Sequence, residues 1–333
     1  MKPIVTITTG DPAGVGPEIT AKLFRSFSPR RSVAVIVGAL SVLDEFAVLR
    51  RAARKITIDE LVEDRPRSGV FVVDSGCRAR FAGARDSKGG GTHAAAALDT
   101  ARTLVEKGIS EAIVTAPISK HALNLAGHHY TGHTEWLADV FDSPDCQMVM
   151  VHRQLRVVPI TRHIPISRVA SAVTADRILA ALHVLHRSLR EDFGIRQPHI
   201  AVAGLNPHAG DGGVIGCEDR DVIEPALKLA RRKGLRISGP VAADSLFQSA
   251  GRGIFDAFVT MYHDQGLVPF KLLARRRGVN VTIGLPIVRT SVDHGVAFDI
   301  AGKGKASEVS LKAAYVLAEK LVHERIISRR RKR

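Results

Sequence analysis

The chain has 333 residues, of which 45% are hydrophobic and 24% are charged, and its formal net charge at pH 7 is +15. These values predict a globular protein with a sizeable core, in two domains or one large one. No apolar run approaches the roughly 20 residues of a membrane span, so no membrane partner is expected. The three cysteines, Cys77, Cys146 and Cys217, are far apart and indicate a reducing, cytoplasmic compartment without a disulfide framework.

The positive charge has two competing explanations: nucleic-acid binding, or a basic surface on an enzyme with an anionic substrate. The charge is spread along the chain, and aromatic residues make up only 5%, so no stacking platform for bases is visible. We therefore predict no nucleic-acid partner. The terminal RRRKR run is predicted to be a frayed, solvated tail.

The first predicted strand covers residues 4–9, where β-branched residues alternate. A Gly/Pro loop, GDPAGVGPE, follows it and leads into a helix over 17–24. The glycines do not follow the G-x-G-x-x-G order, so the dinucleotide fingerprint is absent. A tight strand-to-helix turn is therefore the favoured interpretation of this loop.

Further along, SKGGGT is predicted to be a flexible loop, after which Thr92 would cap a helix ending near residue 107. Thr174 would cap the longest helix, over 175–192, and residues 306–324 would form the last one. Strands alternate with helices throughout. This order predicts an α/β fold with a largely parallel or mixed sheet.

Several polar side chains occupy positions typical of ligand sites. His133 and Thr134 precede an amphipathic segment, and they form either a plain helix start or a grip on a ligand at a helix N-terminus. His163, His208 and His263 each follow a strand-like segment. They lie too far apart for a local metal signature, so the pattern alone does not establish that they converge.

Residues 256–304 concentrate groups suited to chemistry. An apolar, strand-like run ends in YHDQG, and ligands of open α/β sheets bind beyond the carboxyl ends of strands. Lys271, Asn280 and Arg289 follow between short apolar segments. Lysine and arginine suit phosphate or carboxylate groups, which indicates an anionic ligand.

Taken together, these motifs resemble the 4-hydroxythreonine-4-phosphate dehydrogenase family. The resemblance extends from Thr6 to about Ala314, and it is carried by seven segments: GDPAGVGPE, TAPISK, YTGHTE, GLNPHAGDGG, GPVAADSLF, MYHDQGL and GVNVTIGLPIVRTSVDHG. It implies an NAD-dependent enzyme of pyridoxal phosphate biosynthesis. The implied fold is similar to that of the isocitrate and isopropylmalate dehydrogenases, with two α/β/α domains around a cleft.

The resemblance also implies a domain organisation and a partner. Residues 1–130 and 285–333 would form a cofactor-side domain, and residues 131–284 would form the domain for metal, substrate and dimerisation. The family works as a homodimer with its site at the subunit interface, on a phosphorylated small-molecule substrate.

Carried over residue by residue, the resemblance implies specific roles. Its divalent-metal ligands would be His163, His208 and His263. Its substrate contacts would be His133, Thr134, Lys271, Asn280 and Arg289. His208, Asp244 and Lys271 would be catalytic, and Gly295 and Asp299 would bind the cofactor, because DHGVAFDIAGKGKA is similar to the cofactor loop of isopropylmalate dehydrogenases.

Several alternatives stay open at this point. The general base could be Asp244, Asp264 or a metal-bound water. Three imidazoles suit Zn, Co or Ni, and Mg or Mn less well, and NAD is not distinguished from NADP. Relatives that oxidise D-threonate or D-erythronate 4-phosphate share the phosphate-binding residues. A dihydrodiol dehydrogenase would not need Lys271, Asn280 and Arg289.

Overall fold

The computed structural model describes residues 1–80, 83–130 and 132–332. The chain forms two compact units, each built from two stretches of sequence. Unit 1 comprises Met1–Asp142 and Leu285–His323, and unit 2 comprises Ser143–Gly284 and Glu324–Arg333. The cofactor-side and metal-side roles predicted for the two domains stay predictions.

The described strands follow one another along both units. They are β1 (Ile4–Thr8), β2 (Val33–Gly38), β3 (Arg54–Lys55), β4 (Val70–Asp74), β5 (Ala112–Thr115), β6 (Gln147–His152), β7 (Leu155–Pro159), β8 (His199–Ala203), β9 (Arg236–Val241), β10 (Ala257–Thr260), β11 (Val279–Ile283) and β12 (Val288–Val292).

The α-helices alternate with these strands. They are α1 (Gly16–Ser26), α2 (Leu40–Leu43), α3 (Ala47–Ala52), α4 (Ile58–Glu63), α5 (Lys88–Glu106), α6 (Lys120–Leu125), α7 (His133–Val140), α8 (Val169–Ala172), α9 (Ala175–Glu191), α10 (Glu224–Arg232), α11 (Ala243–Leu246), α12 (His263–Ala274) and α13 (Val309–Lys332).

The strands of unit 1 pair in the order β3-β4-β2-β1-β5-β12, and every pair is parallel. Strands β1, β2 and β12 are buried at every position, as expected for a parallel sheet covered on both faces. Val35 of β2 packs in one core cluster with Phe71, Ala97 and Leu104. The α/β prediction is confirmed here.

The strands of unit 2 pair in the order β11-β6-β7-β10-β8-β9. Strand β6 runs antiparallel to both of its neighbours, and the pairs from β7 to β9 are parallel. Val157, Ala201, Phe258 and Phe270 lie in the core cluster of this unit. The carboxyl ends of β7, β10 and β8 therefore lie side by side, which decides where three of the predicted site residues fall.

The prediction of a flexible SKGGGT loop is wrong. Helix α5 begins at Lys88, because the side chain of Ser87 accepts the N–H of Gly90 at 3.0 Å and caps it. Thr92 lies inside the helix, where its hydroxyl donates to the carbonyl of Lys88. Gly91 is needed for packing, since a Cβ there would overlap the carbonyl oxygen of Ala122.

The predictions of the longest helix and of a frayed C-terminal tail also need correction. Thr174 caps α9 as predicted, but α5 has 19 residues and α13 has 24, against 17 for α9. The arginine-rich tail is helical through Lys332, and Arg333 lies outside the described residues. Arginine has high helix propensity, and Arg325 anchors α13 within unit 2 through an ion pair of 2.6 Å with Asp192.

In the part of the chain that the structure describes, no single helix has the length and apolar character needed to cross a membrane. One bent pair, Ile166–Ala172 with Ala175–Glu191, meets the length and composition criteria only when its two helices are taken together, and they meet at 84°.

Candidate active site

The first group of predicted site residues lies in unit 1 and centres on Arg289. This residue sits on β12, which is parallel to β5, and only 2% of it is exposed. Its Nη2 donates to the hydroxyl of Thr115, the last residue of β5, at 2.8 Å. A guanidinium keeps its charge when buried, so the sheet of unit 1 holds a fixed cation at the end of β5.

His133 begins helix α7 in the same unit, directly after Gly132. Its Nε2 is buried and has no hydrogen-bond partner among the described residues. The pKa of His133 is held well below its ordinary value, first by burial and then by the positive charges of Arg289 and Lys120. The imidazole is therefore neutral at pH 7 and has a ring nitrogen available for a ligand.

Thr134 is the second residue of α7 and is half-buried. The first N–H groups of a helix have no partner within the helix, and they favour anions. A buried guanidinium, a neutral imidazole and a helix start therefore make unit 1 suited to a phosphate or carboxylate group.

The predicted metal ligands lie in unit 2, at the ends of neighbouring strands. His163 follows β7, and His263 begins α12 shortly after the end of β10. These strands are parallel neighbours, and the chain stays paired beyond them, with the N–H of Thr161 donating to the carbonyl of Met261. The two imidazole rings consequently approach each other, with their centroids 5.8 Å apart.

The Nδ1 of His263 hydrogen-bonds to Oδ1 of Asp264 at 2.6 Å. A carboxylate bonded to one ring nitrogen orients the imidazole and leaves the other nitrogen for a metal. Two adjacent imidazoles, one of them oriented in this way, fit a divalent cation.

His208 follows β8, the other parallel neighbour of β10, in the turn Pro207–Gly213. Its φ is +52°, and the next residues also have positive φ, an uncommon conformation for residues with a side chain. Asp219 braces this turn by accepting the N–H groups of Leu205 and Asn206 at 2.7 and 3.0 Å. Such conformations persist where the surrounding structure enforces them, often at functional sites.

Among the described residues, no three or more His, Cys, Asp or Glu side chains form a group that could hold a metal ion. The structure thus brings His163 and His263 together, and it places His208 at the neighbouring strand end without joining it to them. The three-histidine metal centre stays a prediction.

The other predicted residues of unit 2 are dispersed. Lys271 lies in the last turn of α12 and is exposed, whereas the sequence placed it between short apolar segments. Asn280 lies on β11, and its Oδ1 is buried without a hydrogen-bond partner in the described chain. Asp244 is exposed in α11 and accepts the N–H of Ser245 at 2.9 Å. Their catalytic and substrate roles stay predictions.

The predicted cofactor residues, Gly295 and Asp299, lie in an exposed loop of unit 1. This loop contacts the Gly/Pro loop after β1, because the N–H of Val15 donates to the carbonyl of Val296 at 2.9 Å. The Gly/Pro loop is a tight turn, as predicted, since a Cβ on Gly10 would overlap the carbonyl oxygen of Pro117. The role of Gly295 and Asp299 in binding a cofactor stays a prediction.

The sequence interpretation missed Asp219, which braces the His208 turn, and Thr115, which contacts Arg289. Asp219 carries no recognisable signal, because its partners lie 13 and 14 residues away along the chain. Thr115 directly precedes the APISK segment, at a strand end of the kind that supplies ligand groups, and this position could have identified it.

Known proteins are similar to this chain over almost its whole length. A 4-hydroxythreonine-4-phosphate dehydrogenase of Aromatoleum aromaticum is 43% identical over 332 residues, covering 98% of this chain and 99% of the relative.

Two solved structures extend the comparison. A 4-hydroxythreonine-4-phosphate dehydrogenase of Klebsiella pneumoniae has a TM-score of 0.86 at 37% identity, covering 97% of this chain and 98% of the other. A terephthalate 1,2-cis-dihydrodiol dehydrogenase of Burkholderia xenovorans has a TM-score of 0.67 at 29% identity, with coverages of 96% and 98%.

The family model described as "Pyridoxal phosphate biosynthetic protein PdxA" matches residues 31–318. With the relatives above, this match shows that the chain belongs to the PdxA family of pyridoxal phosphate biosynthetic proteins.

Proposed function

We propose that this chain is an NAD(P)-dependent oxidoreductase acting on 4-phosphooxy-L-threonine (4-hydroxythreonine 4-phosphate) in the cytoplasm. The C3 hydroxyl would become a ketone as the hydrogen on C3 leaves as hydride to the nicotinamide and the hydroxyl proton leaves to a base. The product, 2-amino-3-oxo-4-phosphooxybutanoate, would lose CO2 to give 3-amino-2-oxopropyl phosphate.

The observation that carries the proposal is the buried cation of unit 1. Arg289 is 2% exposed, it is oriented by Thr115, and it lies near a histidine whose lowered pKa keeps the ring neutral. A guanidinium forms bidentate, charge-assisted hydrogen bonds with phosphate or carboxylate oxygens. His133 would donate or accept one hydrogen bond, and Thr134 with the start of α7 would complete the anion contacts.

The donor set of unit 2 supports a divalent metal held by His163 and His263, with His208 as the third ligand. Such a metal, Zn or Co in preference to Mg or Mn, would supply Lewis-acid polarisation of a substrate oxygen. Asp264 would keep the His263 ring oriented. The family resemblance implies that the chain works as a homodimer with this site at the subunit interface.

The remaining roles follow the family resemblance. Lys271 and Asn280 would bind polar groups of the substrate, and Asp244 or Asp264 would accept the proton. Gly295 and Asp299 would contact NAD(P), which accepts the hydride.

The test is NAD(P) reduction by the purified protein reconstituted with metal. It would be offered 4-phosphooxy-L-threonine, D-erythronate 4-phosphate and an aromatic cis-dihydrodiol, each with and without chelator. A preference for the phosphorylated amino acid that chelator abolishes supports the proposal. A preference for the erythronate would assign the protein to sugar-acid catabolism. Turnover of the dihydrodiol alone would overturn the phosphate-binding role.

A further inference from the structure

Lys120 is an exposed cation at the end of the TAPISK segment, and neither the residue roles carried over from the family nor the proposed mechanism assigns it a role. It is the first residue of α6, five residues after Thr115 on the same connection. Ser119 caps α6 by accepting the N–H of Ala122 at 3.1 Å, and its hydroxyl also donates to Asp86. The backbone that carries Lys120 is therefore fixed, while its side chain is exposed.

The side chain of Lys120 extends towards the start of α7. A Cβ added to Gly132 would lie 3.7 Å from Cε of Lys120, so the lysine stem passes against the residue that precedes His133. The charge of Lys120 also contributes to the lowered pKa of His133, after burial and after Arg289. Lys120, His133 and Arg289 thus belong to one local group of unit 1.

Among the described residues, no carboxylate forms an ion pair with Lys120. Glu135 is on the same side of Gly132, since its Oε2 would lie 3.3 Å from the same added Cβ, but it makes no ion pair with the lysine within the described chain. A compact ammonium near a helix start and a neutral imidazole suits an anion with several oxygens.

We infer that Lys120 is a further substrate-binding residue, and that its ammonium contacts the phosphate group of the substrate beside His133. This inference rests on the proposed function for its substrate. The chemistry it requires, binding of a phosphate dianion by this group of unit 1, can be tested without turnover.

The probe is inorganic phosphate, titrated into the full-length protein by calorimetry while the His133 ring resonance is followed by NMR. We expect Lys120→Met to weaken phosphate binding about tenfold, because one charge-assisted contact is lost. The pKa of His133 should rise in this variant, since a neighbouring positive charge is gone. Lys120→Arg keeps the charge and should retain most of the binding.

Two further variants separate this role from simpler ones. Lys107→Met removes an equally exposed lysine at the far end of α5, and it should change phosphate binding less than twofold. Glu135→Gln should leave binding unchanged or strengthen it, because a negative charge is removed. If Lys120 merely paired with Glu135, Lys120→Met and Glu135→Gln would weaken phosphate binding alike. That result would overturn the inference.

Substrate kinetics then connect the site to the reaction. Lys120→Met should raise KM for 4-phosphooxy-L-threonine about tenfold and change kcat less than twofold, because the contact is the same in ground and transition states. Unaltered phosphate binding and KM would overturn the inference. If the wild-type protein binds phosphate through Lys120 but oxidises none of the offered substrates, the proposed function fails and the inference stands.

Discussion

The two units present their polar groups in opposite ways. In unit 1, Arg289 is buried on strand β12 and His133 has a buried ring nitrogen. In unit 2, His163 and His208 are exposed, and the His263 side chain is 34% exposed. The fold alone orients the groups of unit 1 for which we propose anion binding, whereas the imidazoles of unit 2 would be ordered mainly by a bound metal. Substitutions should therefore have larger effects in unit 1.

The largest effect is expected at Arg289. Arg289→Met should weaken substrate binding by about 2–5 kcal/mol, measured by calorimetry, because a charge-assisted contact with the anion is lost. Arg156→Met is the matched control, since Arg156 is also buried but donates to the carbonyls of Gln154 and Asp256. It should reduce stability by about 1–3 kcal/mol and leave binding intact. Equal substrate binding by Arg289→Met and the wild type would contradict the expectation that substitutions have larger effects in unit 1.

A second test concerns Asp11, a fully buried carboxyl of unit 1 whose Oδ2 has no hydrogen-bond partner among the described residues. Burial raises its pKa from 3.8 to about 6, against a lowering by the N–H of Ala13. The folded state keeps this proton at pH values where the unfolded state has lost it. The free energy of unfolding should therefore fall as pH rises from about 4 to 6.

Asp11→Asn should remove this slope and raise stability at pH 7 by about 1–3 kcal/mol, measured by urea unfolding at several pH values. Asp145→Asn changes an exposed aspartate and should leave the slope in place. Parallel pH curves for Asp11→Asn and the wild type would show that the Asp11 carboxyl is not desolvated.

In unit 2, the exposed imidazoles are predicted to depend on Asp264 and a bound metal for their orientation. Asp264→Asn removes the carboxylate that orients His263, and it should lower zinc affinity about tenfold, measured by competition with a chromogenic chelator. Fold stability without metal should not change, because Asp264 is exposed. Asp145→Asn serves again as the control. Unchanged zinc affinity would remove the support for a metal on His263.

The smallest expected effect is at Ala209, whose φ is +53° in the His208 turn. Ala209→Gly should raise the free energy of unfolding by about 0.5–1 kcal/mol, because glycine adopts this conformation without strain. Ala96→Gly, inside α5, should instead lower it by about 1 kcal/mol. A loss of stability in both variants would show that the turn does not hold backbone strain.

Local signals in the sequence explain what could be predicted. Strand β1 follows from alternating β-branched residues, and α9 follows from the Thr174 cap, whose side chain accepts the N–H of Arg177. The start of α5 was missed because three consecutive glycines normally end a helix, whereas here Gly91 is required by close packing against Ala122 of α6 and Gly90 by close approach to Asp11.

The candidate site was accessible to sequence reasoning mainly through the family resemblance. Arg289 and Thr115 are 174 residues apart, and only the parallel pairing of β12 with β5 brings them together. Similarly, the approach of His163 to His263 depends on the order β7-β10-β8, which periodicity does not determine. Residue types suggested the chemistry, and topology determined which of them meet.

The pairing of β12 with β5 also has a consequence for biosynthesis. Unit 1 begins at Met1 but lacks its last strand until Val288–Val292 has been made, after the whole of Ser143–Gly284. Until then one edge of β5 has no partner from β12, and exposed strand edges promote misassembly. We expect nascent chains that stop before residue 288 to depend on chaperones, and Arg289 to reach its place only after the whole of Ser143–Gly284 has been synthesised.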